Sequence, residues 1–218
     1  MNIGLIITAG GSGSRFGVEG GKQLAQINGK PMVVATCEKF IGVKEISEVI
    51  ITIDAAAKDK LEVALLAVKL DFPLKIVLGG ETRTESVYNA LKQLSGGYDK
   101  VMIHDGARPN LSEELIQRLV AKAKTETAVI PVIPVVDTIK WVENDVVKET
   151  LPREKLFAVQ TPQIFSYEII MAAYNKFSGA VVTDDASLVE KMGVEVAVVD
   201  GERANIKVTY FNDLEAVS

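Results

Sequence analysis

Short apolar runs alternate along the chain with stretches whose apolar positions recur every three or four residues. The runs at 3–8, 48–54, 74–78, 100–104 and 127–134 predict strands. The stretches at 31–41, 55–70, 84–94 and 112–124 predict the helices between them. Two of these carry start signals. Pro31 stands in a first turn, where a missing N–H costs little. Ser112 stands as a cap before Glu113 and Glu114, whose charges suit the positive end of a helix.

Alternation of this kind predicts an α/β fold: a mainly parallel, Rossmann-like sheet covered by helices on both faces. Ligands of such sheets bind outside the carboxyl ends of the strands. The loops after Thr8, Leu78 and His104 are therefore expected on one face. From residue 137 the rhythm changes. Residues 137–142 and 146–151 alternate apolar and polar around Glu143-Asn144-Asp145, which predicts a hairpin or arm. An extended segment at 157–165 containing Pro162, helices at 167–177 and 185–192, and strands at 194–199 and 206–208 complete the reading. No repeat or linker divides the chain. The expectation is one domain over 1–218, with an arm at 137–157 projecting from it.

Composition narrows the function classes. The chain has 218 residues, 48% hydrophobic and 24% charged, with a formal net charge of -5. These values suit a packed domain and exclude fibrous or disordered classes. The acidic balance argues against a nucleic-acid partner, which clustered cations would mark. Cys37 is the sole cysteine and His104 the sole histidine. A disulfide within the chain, a Cys-based zinc site and a His-rich metal site are excluded. No apolar run approaches the roughly 20 residues that span a bilayer. The first run lacks a basic leader and breaks into glycines. A soluble cytoplasmic protein with no membrane partner is expected.

Ala9-Gly10-Gly11-Ser12-Gly13-Ser14-Arg15 follows the first strand. Glycines let backbone N–H groups approach an anion closely. Two well-known phosphate loops fail here. Gly21-Lys22 could end a P-loop, but Phe16 holds its first glycine position and Gln23 replaces Ser or Thr. The dinucleotide fingerprint also finds Phe16 at its third glycine, and Asp54 lies too far along the chain. What remains is a glycine cradle with Arg15 and Lys22 seven positions apart. Two cations there suit a triphosphate and would stabilise charge developing at a phosphoryl centre. A solvated loop is the alternative.

Further motifs follow in order: Gly79-Gly80-Glu81-Thr82-Arg83-Thr84-Glu85-Ser86-Val87, His104-Asp105-Gly106-Ala107-Arg108-Pro109, Asp137-Thr138-Ile139-Lys140, Gln160-Thr161-Pro162-Gln163, Thr183-Asp184-Asp185-Ala186-Ser187 and Asn205-Ile206-Lys207-Val208-Thr209. With the glycine loop, this ordered set resembles the 2-C-methyl-D-erythritol 4-phosphate cytidylyltransferase family, GT-A-like nucleotidyltransferases of the non-mevalonate isoprenoid pathway. Each motif alone is weak; together they span essentially the whole chain. The resemblance implies transfer of CMP from CTP to the polyol phosphate, with Mg²⁺ as cofactor. It implies CTP binding by Ala9, Gly10, Gly11, Gly13, Arg15, Lys22, Gly80, Glu81, Ser86 and Ala107, the cytosine lying at Gly80, Glu81 and Ser86. It implies acceptor binding by Asp105, Thr138, Arg153, Thr161, Thr183 and Lys207. Catalysis would rest on Arg15, Lys22, Asp105 and Lys207, and the metal on Asp105, directly or through water. The arm would cross to a second subunit, so that Thr138 and Arg153 serve the partner's site in a homodimer and Trp141 packs at the interface.

Each residue also has a plainer reading. Gly79–Ser86 can be only a turn and a helix cap. His104 reads as a histidine packed under its loop, because a phosphate nucleophile is already anionic and requires no strong base. Arg108 reads as a structural partner for a carboxylate, Thr183-Asp184-Asp185 as a helix cap, and Cys37 as core. Gly106 departs from the family, which more often has Ala there. Three rivals stand. One is a cytidylyltransferase for another alditol phosphate such as ribitol 5-phosphate, and another is a non-catalytic nucleotide-binding protein. A dinucleotide oxidoreductase is disfavoured by the failed fingerprint.

Overall fold

All six residues of Ile3–Thr8 are buried, as a strand with neighbours on both edges and helices on both faces requires. The computed structural model describes residues 1–10 and 22–217. In chain order the strands are β1 (Ile3–Thr8), β2 (Gln26–Ile27), β3 (Lys30–Pro31), β4 (Ile46–Ile53), β5 (Leu74–Leu78), β6 (Lys100–Asp105), β7 (Ala128–Pro134), β8 (Lys140–Glu143), β9 (Val146–Thr150), β10 (Phe157–Val159), β11 (Gln163–Ser166) and β12 (Ala197–Asp200). The helices are α1 (Met32–Glu38), α2 (Ala55–Leu66), α3 (Arg83–Gln93), α4 (Glu113–Ala123), α5 (Tyr167–Lys176) and α6 (Ala186–Glu190).

Eight strands form the main sheet. From one edge, β5, β4, β1 and β6 are parallel neighbours. β11 runs antiparallel between β6 and β7, and β12 pairs parallel with the other edge of β7. The chain builds outward from β1 through β4 to β5, then returns to place β6 on the opposite side of β1. The crevice between the carboxyl ends of β1 and β6 is thus the topological switch point, where such sheets bind ligands. Thr8 and Asp105 are register partners there.

Period-two alternation divides the core. Ile3, Leu5 and Ile7 pack with α1, α2 and α4 on one face. Ile6 packs with α3, α5 and α6 on the other. Gly4 shares that second face, where a Cβ would stand 2.8 Å from Leu94 Cδ2. Cys37 is fully buried in the first cluster. Burial, then the Glu38 charge, pushes its thiol up to about 12, so it is inert core.

The mainly parallel sheet with helices on both faces agrees with the pattern in the chain. The differences are local. α2 ends at Leu66, four residues before the expected end. The expected strand at 206–208 does not form. Val208 N–H donates to Ala107 O at 2.9 Å, past the end of β6, where no strand continues to pair with it. The segment expected as one extended run at 157–165 is broken. Val159 faces Val132 and Ile164 faces Val129, so Gln160 to Gln163 stand against only Ile130 and Pro131. This bulge contains a cis Thr161–Pro162 peptide and turns Thr161 toward β6. The arm is a hairpin, β8 with β9, turning through Asn144 and Asp145 at φ 50° and 60°. Among the described residues, no helix is long and apolar enough to cross a membrane.

Candidate active site

The loops after β1 and β5 leave the sheet side by side. Ala9 N–H donates to Thr52 O at 2.8 Å and Gly79 N–H to Ile53 O at 3.0 Å. Ser86, one turn into α3, fills the space between them. A Cβ on Gly79 would stand 2.8 Å from Ser86 Oγ, and one on Gly10 3.3 Å from it. Close backbone approach is what glycine allows here. Thr82 caps α3 by accepting Glu85 N–H at 3.1 Å. Gly80 N–H donates to Ser86 Oγ at 3.0 Å, and Glu81 N–H to Glu85 Oε2 at 2.7 Å. Gly10, Gly80, Glu81 and Ser86 therefore meet at one corner, with two N–H groups aimed at oxygen acceptors. Gly11, Gly13 and Arg15 lie outside the described residues. Lys22 Nζ donates to Val208 O at 3.0 Å, which brings it beside the segment that carries Lys207.

Asp105 ends β6 and is buried. Arg83 Nε approaches its Oδ1 at 3.2 Å. Lys207 Nζ lies 2.8 Å and Arg108 Nε 3.6 Å from its Oδ2. Burial alone would raise the Asp105 carboxyl; Arg83, Lys207 and Arg108 outweigh it and hold the group well below the usual carboxylate range. Arg83 also donates from Nη2 to Asp185 Oδ2 at 2.7 Å, and Tyr174 donates to Asp185 Oδ1 at 2.5 Å. Arg83 Nη1 and Arg108 Nε are buried and make no hydrogen bond among the described residues. The Arg108 donor suits an anionic ligand.

His104 is fully buried, edge-on to Phe40 at 5.4 Å between ring centroids. Its Nε2 lies 3.2 Å from Arg108 O. A carbonyl only accepts, so Nε2 carries the proton and Nδ1 is the acceptor. Nδ1 then accepts a hydrogen bond from the Thr161 hydroxyl at 3.0 Å, while Thr161 Oγ1 accepts one from Asp105 N–H at 3.0 Å. Burial, the largest influence, lowers the imidazole to about 4, so it is neutral at pH 7. The histidine braces Thr161 beneath the site, packed under its loop as expected.

A cavity of about 400 Å³ opens at this point. Asp105, Thr161, Thr183 and Lys207, all named from the sequence as acceptor residues, line it. Arg83, Arg108, Gln163 and Asp184 line it too. Arg108 pairs with a carboxylate as read, yet also faces the cavity. Arg83 was visible only as a letter within a motif; the N-terminus of α3 aims it at the site, and no local signal marks that. Thr183-Asp184-Asp185 does serve as a cap, as read; within it Asp185 makes no side-chain cap bond and holds Arg83. Asp184 does the capping: it accepts Ser187 N–H at 3.3 Å.

A family model described as IspD, 2-C-methyl-D-erythritol 4-phosphate cytidylyltransferase, matches residues 3–217. The chain belongs to this family. It is 42% identical to the 2-C-methyl-D-erythritol 4-phosphate cytidylyltransferase of Dictyoglomus thermophilum, covering 97% of this chain and 93% of that one. It is 41% identical to that of Bacillus mycoides, covering 96% and 93%. The crystal structure of 4-diphosphocytidyl-2C-methyl-D-erythritol synthase from Anaerococcus prevotii superposes with a TM-score of 0.87 at 33% identity, covering 99% and 96%.

Of the described residues that the cytidylyltransferase resemblance drew into the site, only Asp105, Thr161, Thr183 and Lys207 line the cavity; Ala9, Gly10, Lys22, Gly80, Glu81 and Ser86 lie outside its lining, and so do Thr138, Arg153 and Ala107. Thr138 and Arg153 are exposed at the base of the arm, where Arg153 Nη1 donates to Val136 O at 2.5 Å. Ala107 is buried with Ile27, Met32 and Val208. Gly106 leaves little room for the alanine more usual in the family: a Cβ would stand 3.1 Å from Thr8 O.

Proposed function

We propose that residues 1–218 act as one catalytic unit that transfers CMP from CTP to 2-C-methyl-D-erythritol 4-phosphate in the cytoplasm. The products are 4-diphosphocytidyl-2-C-methyl-D-erythritol and pyrophosphate. One observation carries the reading. A cavity in which Arg83, Arg108 and Lys207 gather around Asp105, with Thr161 and Thr183 beside them, opens at the switch point, joined through Arg83 to the turn that presents Gly80 and Glu81.

In this reading the acceptor's phosphate oxygen attacks the α-phosphorus of CTP in line. The bond to the β-phosphate oxygen breaks, and pyrophosphate leaves with the electron pair. The nucleophile is already ionised, consistent with a neutral His104 that faces away. Lys207, Arg108, Thr161 and Thr183 hold the acceptor, while Arg15, Lys22 and the glycine loop that starts at Ala9, with the amides of Gly10 to Gly13, hold the triphosphate. Ala107 supports the nucleotide side from beneath. The N–H groups of Gly80 and Glu81 and the Ser86 hydroxyl exchange their partners Ser86 Oγ, Glu85 Oε2 and Thr82 O for the cytosine acceptors when CTP binds. Catalysis is then positioning with electrostatic stabilisation.

Magnesium fits this donor set. Mg²⁺ takes one or two carboxylates, keeps waters and otherwise uses substrate phosphates. Asp105 offers one carboxylate whose oxygens retain lone pairs beside Arg83 and Lys207. It would hold the ion directly or through water, and the ion would neutralise phosphate charge.

The homodimer belongs to the same proposal. Trp141, Val142, Val146 and Val147 are each more than half exposed in the single chain. An apolar surface of that kind on one hairpin suits an interface. A second copy would cover it and bring Thr138 and Arg153 to the partner's cavity.

The test is pyrophosphate release from CTP and Mg²⁺ with each acceptor supplied separately. Fast release with 2-C-methyl-D-erythritol 4-phosphate alone is expected. Fast release with ribitol 5-phosphate instead would overturn the acceptor, and CTP binding without release would overturn the enzyme.

A further inference from the structure

Arg83 joins the two halves of the site. It is the first residue of α3; Glu81 lies two residues before it and Ser86 within the first turn after it. Its guanidinium leaves that helix and reaches Asp105 at the end of β6. The fork also grips Asp185, which is fully buried and takes the hydroxyl of the buried Tyr174. Tyr174 in turn stacks on Tyr88 of α3, with ring centroids 5.8 Å apart. The resulting chain Tyr174–Asp185–Arg83–Asp105 draws on α5, the start of α6, α3 and β6.

A buried ionic cluster of this kind adds little stability over an apolar one of equal volume. What it provides is direction: a planar fork fixes two carboxylates at set angles, which an ammonium does not. In-line transfer is sensitive to such placement, since a shift of about 1 Å costs on the order of 10² in rate. We propose that Arg83 is a positioning residue that holds the base-reading turn and the Asp105 side of the acceptor cavity at the separation in-line attack requires. Asp185 and Tyr174 hold Arg83 in that role. This inference rests on the cytidylyl transfer proposed above.

The test uses the full-length protein with CTP, Mg²⁺ and 2-C-methyl-D-erythritol 4-phosphate, and reads kcat, both KM values and Tm. Arg83→Lys is expected to lower kcat by about 10²-fold. The KM of each substrate should stay within about threefold, because binding groups remain while alignment is lost. Tyr174→Phe, which keeps the ring stacked, should lower kcat by roughly 3- to 10-fold, and the double variant should fall short of the product of the two, as linked residues do. A folded Arg83→Lys enzyme with kcat within about twofold of the parent overturns the proposal. So does a rise confined to the acceptor KM, which marks a guanidinium that binds substrate. If Arg83→Lys does not fold, an unchanged kcat in Tyr174→Phe overturns it. Silence of the parent protein itself overturns the transfer reading, and this inference with it.

Discussion

The ammonium of Lys207 lies 2.8 Å from Asp105 Oδ2, and of the three cations on that carboxylate it is the most exposed. Its side chain is 41% exposed, against 22% for Arg83 and 11% for Arg108. Its exposure leaves this ammonium the one of the three best placed to meet an arriving phosphate. Lys207→Ala should lower turnover by about 10²–10³-fold, the usual cost of one transition-state donor. Tm should change little, because Arg83 and Arg108 still neutralise Asp105. Steady-state kinetics with a thermal melt check both halves.

Lys22 should behave alike on the nucleotide side. It lies against Val208 O, next along the chain from Lys207. Lys22→Ala should reduce kcat by about 10²–10³-fold and leave the circular dichroism spectrum unchanged. Near-normal turnover would remove it from the triphosphate site.

Gly79→Ala tests the base corner without touching charge. Its new methyl would stand 2.8 Å from Ser86 Oγ, forcing the hydroxyl away from Gly80 N–H. The expected result is a rise of roughly tenfold in the KM for CTP, the value of one neutral hydrogen bond. The acceptor KM should hold. Equal rises in both would point to general distortion.

Acid should destabilise the protein in two stages. His104 sits at about 4 when folded against an ordinary 6.5. Unfolded chains therefore bind its proton first between those values, so stability is full above pH 6.5 and is lost as pH falls toward 4. The shift corresponds to about 3 kcal/mol. Glu48 follows. Burial pushes its carboxyl up, but Lys75, Tyr98 and Ser95 outweigh that and hold it at about 2 against 4.5. Its contribution is full above pH 4.5 and is lost as pH falls toward 2. Asp105, also depressed, adds loss in the same direction. Urea melts at pH 7, 5.5 and 4 should show the first stage, and His104→Asn should flatten it.

The arm predicts complementation. Trp141→Asp should shift the sedimentation coefficient from dimer to monomer and abolish turnover. Arg153→Ala and Lys207→Ala, each nearly inactive, should recover activity when mixed and allowed to exchange. Random pairing in a two-fold dimer leaves roughly a quarter of the sites intact. No recovery would show that both residues serve one chain's own site.

Much of this was legible in the chain. Strands β1, β4, β5, β6 and β7 stand within two residues of their apolar runs. The Ser112 cap accepts Leu115 N–H as its position implied. The loops after Thr8, Leu78 and Asp105 share the sheet's carboxyl edge. These features rest on period, turn chemistry and capping, which operate over a few residues and are written locally. The ordered motifs carried the family. The run at 206–208 misled because Ile206 and Val208 look like strand residues, while pairing depends on whether a neighbouring strand extends that far.

What folding alone decided lies in contacts between distant segments. Arg83 and Asp185 are 102 positions apart, and Thr161 is 56 from Asp105. Nothing near Arg83 in the chain distinguishes a buried fork from a solvated surface arginine. Thr161 reaches Asp105 only because the four residues Gln160 to Gln163 stand against two of β7. The neutral state of His104 likewise follows from its burial and from which oxygens surround it. The chain determined which elements form and which loops face the crevice, because those depend on short-range sterics and hydrophobic period. Packing determined which charges meet there, because register and burial are properties of the assembled sheet.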